Sequence, residues 1–471
     1  MQQITLDKVG RFIRENRMIP EKCVIIAGVS GGNDSMAMLH LLKSLQEKLN
    51  FGLRVVHVNH GIRGDEAKRD QNIVEDICRQ WDIPCNVYQY DIPDLAVRWK
   101  LGEEETGRIA RRQAFDTEKK KFITEQCSCR IALAHNKNDL AETMLHHLAR
   151  GTGLRGLCSL KPVNGEVMRP LLCLERREID DYVERCRIPS VLDSTNLEDE
   201  YTRNRIRRHI LPVLEKEVNA KTIEHMAETA RIFAQAEEFL TEEAERLIRG
   251  CQEPDGSYCL RDAFFEKKQI LRSYGIRGAL ENLSGQRRDI SQIHISQVEN
   301  LYSCQVSKQI SLPYEMEAVR GYNGVIVRKK KTENLKNQEH KQEESVPLPA
   351  EGEIKTAFGC FGMRTFSYSG EKILEKKYTK WFDCAKINSR LSVRTRQKGD
   401  YLVISKDGGR KKLTRCMIDD RVPKETRDQI PLIADGEEIL WIVGGRISER
   451  YKITSCTRNI LEITYQGGTR I

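Results

Sequence analysis

The sequence predicts an α/β fold: a doubly wound parallel sheet, then a helical domain, then a smaller mixed α+β domain at the C-terminus. Three observations carry this. Short apolar runs alternate with helical periodicity from Cys23 to Arg150. Residues 218–283 keep helical periodicity and contain no strand-like run. Further on, Arg328 to Pro349 (RKKKTENLKNQEHKQEESVPLP) is charged, poor in apolar residues and ends in prolines, as linkers do. The expected partition is 1–217, 218–327, a linker over 328–349, and 350–471.

Each element follows from its residues. Cys23 to Val29 (CVIIAGV) reads as a strand running into glycines, and Met36 to Leu49 as the helix after it. Leu53 to Val58 is a second strand and Glu66 to Trp81 a helix with Ile73, Val74, Ile77 and Trp81 on one side. Asn86 to Tyr90 is a third strand, Glu104 to Gln126 a long helix, Arg130 to Ala134 a fourth strand and Asp139 to Arg150 another helix. Ligands of such sheets sit beyond the carboxyl ends of the strands, so function is expected after Val29, Val58 and Ala134. In the middle part, Thr222 to Arg249 is a long helix. Asn323-Gly324 reads as a two-residue hairpin turn between Ala318-Val319 and Val325-Ile326-Val327.

Composition is that of a globular chain, with 39% hydrophobic and 31% charged residues, and no window resembles a membrane span. The first 20 residues mix charge into every turn and lack the apolar core of a signal peptide, so a cytoplasmic location is expected. Fifteen cysteines are scattered without any C-x-x-C, which argues against a zinc or iron–sulfur centre. The net charge of +9 is mild, but its distribution is uneven. Tyr201 to Pro212 carries four arginines and no acid, and Arg394 to Arg427 carries eleven basic residues against five acidic ones. Such patches suit a phosphate backbone, with a solvated face as the alternative.

The strongest motif is Ser30-Gly-Gly-Asn-Asp-Ser35, between strand and helix. Adjacent Gly31 and Gly32 let amides approach an anion, Ser30 and Ser35 offer hydroxyls, and the helix start adds N–H groups and a positive dipole end. This is a phosphate cradle. It lacks the lysine of G-x-x-x-x-G-K-[ST] loops, so a triphosphate needs another counter-charge, for which Asp34 could hold Mg²⁺. Residues 150–157, RGTGLRGL, fit G-x-G-x-x-G but follow a helix rather than a strand. They read as a helix stop with Arg155 a candidate RNA contact, and not as a dinucleotide loop.

SGG-x-DS after the first strand resembles the loop of the N-type ATP pyrophosphatases (PP-loop ATPases). Four further stretches resemble the tRNA(Ile)-lysidine synthetase family within that group: His57-Val-Asn-His60-Gly-Ile-Arg63-Gly; Ala134-His135 through Glu142-Thr143 followed by RGTGLRGL; Arg169-Pro-Leu-Leu172; and Asp193-Ser-Thr-Asn196 with Tyr201 to Arg207. Arg394 to Asp400 and Pro423 to Pro431 resemble that family's C-terminal tRNA-binding domain. Two departures stand out. Asn138 occupies a place where the family often has Asp, and Gly107-Arg108-Ile-Ala-Arg111-Arg112 has Arg in the place of Tyr.

The resemblance implies an ATP-dependent ligation. The C2 oxygen of the wobble cytidine in a CAU-anticodon isoleucine tRNA attacks the α-phosphate, pyrophosphate leaves, and the ε-amine of free lysine displaces AMP to give lysidine. ATP is then a substrate, held by Ser30, Gly31, Gly32, Asn33, Asp34, Ser35, His57 and His135, with Mg²⁺ on Asp34 and no tightly bound organic cofactor. Asp139 and Glu142, three apart on one helix face, are expected to bind the lysine ammonium and take its proton, with Arg111 a further candidate. Arg203 and Arg207 are expected in the site. Arg205 and Arg208, with Arg394, Arg396, Lys398, Arg410, Lys411, Lys412 and Arg415, are expected on tRNA phosphates. The alternatives are a tRNA thiolase on the same loop, against which the lack of C-x-x-C argues, and a non-catalytic nucleotide-responsive RNA-binding protein, which would leave the three carboxylates idle. A homodimer is left open.

Overall fold

The computed structural model describes residues 2–61, 65–122, 128–191, 202–330, 345–370, 376–424 and 426–467. Arg63 and Asp193 to Asn196 lie outside them. The chain divides into two compact units, 1–239 and 240–471. The four-part partition with breaks at 217, 327 and 349 stays a proposal.

The first unit is built on a six-stranded sheet of order β3-β2-β1-β4-β6-β5. Its strands are β1 (Cys23–Gly28), β2 (Gly52–Asn59), β3 (Cys85–Gln89), β4 (Ser128–Ala132), β5 (Val163–Asn164) and β6 (Val167–Met168). All neighbours pair in parallel except β5 with β6. The helices are α1 (Gln2–Glu15), α2 (Asn33–Leu49), α3 (Asp65–Gln80), α4 (Ile92–Trp99), α5 (Glu103–Lys119), α6 (Lys137–Arg150), α7 (Leu154–Leu157) and α8 (Arg176–Cys186).

Alternation along β1 shows why both faces are covered. Ile25 and Ala27 enter one core with Met36, Met38, Leu39 and Leu42 of α2, and Ile26 enters another with Ala114 and Phe115 of α5. A strand that is apolar at successive positions must bury both faces. Strand order reverses between β1 and β4, so the crevice beyond their ends is where such sheets bind ligands.

Several sequence expectations need adjusting. The long helix expected over 104–126 is the shorter α5, preceded by α4, which starts at the Asp91 cap with Pro93 in its first turn. α1 and α8 were not foreseen. The RGTGLRGL stretch does end a helix: Gly151 closes α6 at φ 78°, and the one-turn α7 follows.

In the second unit the expected strandless segment contains a strand, Tyr258–Arg261, and joins a four-stranded antiparallel sheet with Gly324–Lys329, Met316–Arg320 and Gln309–Leu312. Its partners come from outside the segment, so local periodicity did not reveal it. The hairpin at Asn323-Gly324 is real but wider than two residues: Arg320 pairs with Val325, and Gly321 N–H donates to Gly324 O. The ends of the expected linker are also structured. Arg328 and Lys329 belong to a strand, and Val346–Pro347 pairs with Ser392 and Val393. The C-terminal part has a six-stranded and a four-stranded sheet, with Phe361, Phe382, Trp441 and Tyr451 buried in its core. Among the described residues, no helix is long and apolar enough to cross a membrane.

Candidate active site

The crevice at the switch point is a cleft of about 520 Å³. It is lined by the loop after β1, the ends of β2 and β4, the start of α6, and Arg111, Arg176 and Arg207.

The loop after β1 is shaped from inside. The Ser35 hydroxyl accepts from Ser30 N–H at 3.1 Å and Gly31 N–H at 3.2 Å, and donates to Gly32 O at 2.9 Å. Its lone pairs and proton are thus engaged within the loop. Ser35 is a staple here, and the amides of Ser30 and Gly31 turn toward it. Gly31 sits at φ 98°, which disfavours a side chain. At Gly28 a Cβ would come within 2.7 Å of the Phe115 ring. What this leaves toward the cleft is the first turn of α2, whose N–H groups have no intrahelical acceptor. The Asn33 side chain is also structural: its amide donates to Asp180 of α8 at 2.9 Å and its oxygen accepts from Ser190 at 2.7 Å.

Asp34 faces the cleft. Its Oδ1 accepts from the Asn136 amide at 3.2 Å and its Oδ2 lies 2.8 Å from Arg176 Nη2. Burial pushes its carboxyl up to about 6; Arg176 opposes this, and Asp139 adds to it. A carboxylate beside a phosphate loop is a hard oxygen donor of the kind a divalent cation takes, although burial rather than neighbouring negative charge is what raises its proton affinity. Mg²⁺ characteristically takes one or two carboxylates and completes its shell with phosphate and water.

At the start of α6 the cap is Asn136. Asn136 Oδ1 accepts from Asp139 N–H, and Asp139 Oδ2 accepts from Asn136 N–H, a reciprocal capping box. Asp139 Oδ1 remains for Arg207 Nη2 at 2.9 Å. Glu142, one turn on and 2% exposed, takes Arg207 Nε at 2.6 Å and Nη2 at 3.0 Å. Burial raises the Glu142 pKa, Arg207 acting against it. One guanidinium therefore lies across both carboxylates expected to receive an ammonium.

Arg207 comes from a π-helical turn, Ile206–Ile210, that follows the single α-turn Thr202–Arg205. Of the two arginines expected in the site, Arg203 and Arg207, the cleft lining includes only the second. Arg203 is exposed instead, because the wider turn begins between them. Arg205 and Arg208 are exposed.

Burial keeps both histidines neutral, and they differ in which nitrogen carries the proton. His57 is buried, which lowers its pKa, and its Nδ1 lies 2.8 Å from Val29 O. A carbonyl only accepts, so Nδ1 carries the proton. His135 is driven down to about 4 by burial and by Arg169, Arg203 and Arg111, against the pull of Asp139. Its Nδ1 accepts from Arg169 Nε at 3.3 Å, so its proton sits on Nε2. Arg169 is itself buried and donates to Lys161 O at 2.9 Å.

Neither departure from the family pattern lines the cleft. Asn138 Oδ1 accepts from Arg176 N–H at 2.9 Å, a task any side-chain oxygen performs. Arg112 is exposed and lies 3.9 Å from Asp116 on the surface of α5. Sequence reasoning gave no site role to Asn136, Arg169 or Arg176, although the first two stand in stretches that carry the family resemblance. The first reads as an ordinary loop residue, and the other two reach the site only through the fold.

In the C-terminal part, Arg394 corrects an expectation. It is 5% exposed, forks onto Asp400 at 2.8 Å through each terminal nitrogen, and donates to Gly436 O. A buried arginine already paired is a structural element, not a phosphate contact. Arg396 pairs with Asp428, and Lys411 and Arg415 with Asp419. Lys398, Arg410 and Lys412 are exposed, and Arg410 lies over the Tyr401 ring at 4.7 Å.

A family model described as PP-loop domain matches residues 1–214, and one described as TilS substrate C-terminal domain matches residues 391–463. The tRNA(Ile)-lysidine synthase of Caldanaerobacter subterraneus subsp. tengcongensis is 37% identical over 463 residues, which cover 98% of this chain and 97% of that relative. The chain belongs to the tRNA(Ile)-lysidine synthase family. A member from Clostridium perfringens is 33% identical across 98% of this chain and 99% of its own. A solved U34-tRNA thiolase, NcsA from Methanococcus maripaludis, is 20% identical over 49% of this chain and 79% of that one, at a TM-score of 0.41. Full-length kinship supports the lysidine synthase family over the thiolases. Membership also makes the cleft that of an ATP-using enzyme.

Proposed function

We propose that this chain joins free lysine to C2 of the wobble cytidine in a CAU-anticodon isoleucine tRNA, through an adenylated cytidine, releasing pyrophosphate and AMP. The observation that carries the reading is the cleft itself. A phosphate loop, Asp139 and the Arg207 guanidinium that joins Asp139 to the buried Glu142 line one volume. An alkylammonium has the charge and donors that this two-carboxylate seat binds in Arg207.

In the first step the amides at the start of α2 face the phosphates and the His135 Nε2–H donates as a neutral group. Mg²⁺ on Asp34 would offset charge on the triphosphate. In the second step the amine must be neutral to attack, and at pH 7 only about one lysine amine in a thousand is. Glu142, whose proton affinity burial raises, accepts that proton while Asp139 orients the ammonium, and Arg207 moves off the seat. Arg111 borders the lysine side. Arg203, Arg205, Arg208, Lys398, Arg410 and Lys412 are assigned to tRNA phosphates, and the enzyme is assigned to the cytoplasm.

The test is direct. Incubation with ATP, radiolabelled lysine and a CAU-anticodon isoleucine tRNA transcript should put label into tRNA, one pyrophosphate per lysine. No incorporation under these conditions would falsify the reading.

A further inference from the structure

The phosphate loop carries no lysine, and two of its amides are turned inward onto Ser35. A triphosphate must nevertheless enter a cleft already lined by Asp34, Asp70 and Asp139. Among the described residues, three arginines line that cleft. Arg207 is committed by three hydrogen bonds to Glu142 and Asp139. Arg111 turns its Nε back to Gly107 O of its own helix at 3.4 Å.

Arg176 is placed differently. Its backbone is fixed, being the first residue of α8 with its N–H on Asn138, while Asn33 and Asp180 tie α8 to the helix that bears the loop. Its side chain, 32% exposed, pairs with Asp34 Oδ2 at 2.8 Å. Asp34 Oδ1 already takes the Asn136 amide. A metal ion arriving at Asp34 would therefore meet Arg176 at the remaining oxygen and repel it. A guanidinium carries five donors suited to phosphate oxygens, and the loop lies beside it.

We propose that Arg176 is a phosphate-binding residue, which passes from Asp34 to the triphosphate when nucleotide binds and supplies the cationic group for which the loop has no lysine. The inference rests only on the ATP-using part of the function proposed above, so neither tRNA nor lysine is needed to test it.

Affinities of the full chain for ATP and for AMP, measured by calorimetry in excess Mg²⁺, give a ratio that reports on the hold over the outer phosphates. R176Q should lower that ratio about ten- to hundredfold, the range expected for losing a hydrogen bond from a charged donor, with AMP binding within about twofold of the parent. R176K, which keeps a point charge without the fork, should recover part of it. An unchanged ratio in R176Q, or an equal loss of ATP and AMP, overturns the proposal, since Arg176 would then merely support the cleft. Normal Arg176-dependent ATP binding without lysine incorporation would sink the functional reading and leave this one standing.

Discussion

Glu142 and Asp139 lie one turn apart, share one guanidinium, and differ in what else holds them. Asp139 is half a cap and half a ligand: one oxygen closes the start of α6 and the other faces Arg207. Glu142 is buried, with both oxygens on Arg207. Replacing the two should therefore have different consequences. Glu142→Gln removes the proton acceptor and should slow lysine transfer by about 10²- to 10⁴-fold, the span typical of a lost general base, while ATP–pyrophosphate exchange on tRNA falls less. Asp139→Asn should weaken lysine binding and also lower the thermal midpoint, because the cap loses a charged acceptor at a helix N-terminus. Equal effects of both changes on both partial reactions would contradict this division. The three-residue spacing of the pair was legible in the sequence. That the cap itself is Asn136 was not, because Asn136 precedes the first apolar position by several residues.

Among the helices that escaped sequence reading, α8 is the one that bears most on the site. In Arg176 to Cys186 only Ile179, Tyr182 and Val183 are buried, and its cap is Glu175 rather than Ser, Thr, Asn or Asp. Ile179, Tyr182, Val183 and Cys186 nonetheless fall at i, i+3, i+4 and i+7, so a short helical signal was present and was passed over. Yet this element positions Arg176, Asp180 and Tyr182 against α2. An opposite case is Asp435, on the strand Leu432–Asp435. Burial disfavours its charge, but N–H groups of Asn388 and Ser389 and hydroxyls of Ser389 and Tyr451 outweigh this and hold its carboxyl below the usual range. A depressed carboxylate stabilises the fold above its unfolded pKa of about 3.9, and that stabilisation is lost as pH falls through the folded value. The melting temperature of D435N should therefore lie below that of the parent at pH 7, and the gap should close on acidification below about pH 4. A gap that stays constant down to about pH 2 would show that the charge on Asp435 is immaterial.

For the whole molecule, the basic C-terminal stretch separates into two populations that charge counting merges. Arg394 with Asp400 is internal, whereas Lys398, Arg410 and Lys412 are exposed. Joint neutralisation of the three exposed residues should flatten the salt dependence of tRNA binding by about 0.7 to 0.9 for each phosphate no longer neutralised, so by roughly 2 to 3 in the log–log slope if all three touch phosphate. Arg394→Ala should instead cost about 3 to 5 kcal/mol of stability by stranding a buried carboxylate. A parent-like slope in the triple variant would remove that surface from the binding site.

What the sequence determined by itself is the part written in short-range signals. The alternation of strands and helices, the glycine turn at Gly31, and the pairing of Asp139 with Glu142 all depend on residues within a turn or two of one another. Membership of a family could be read from those stretches for the same reason. Only the tertiary structure decided which charges meet. Arg207 reaches Glu142 across 65 positions and Asn136 reaches Asp34 across 102, and Ser35 turned out to use its hydroxyl within the loop. Electrostatic partnership is set by distance and burial in space, and neither is encoded in local periodicity.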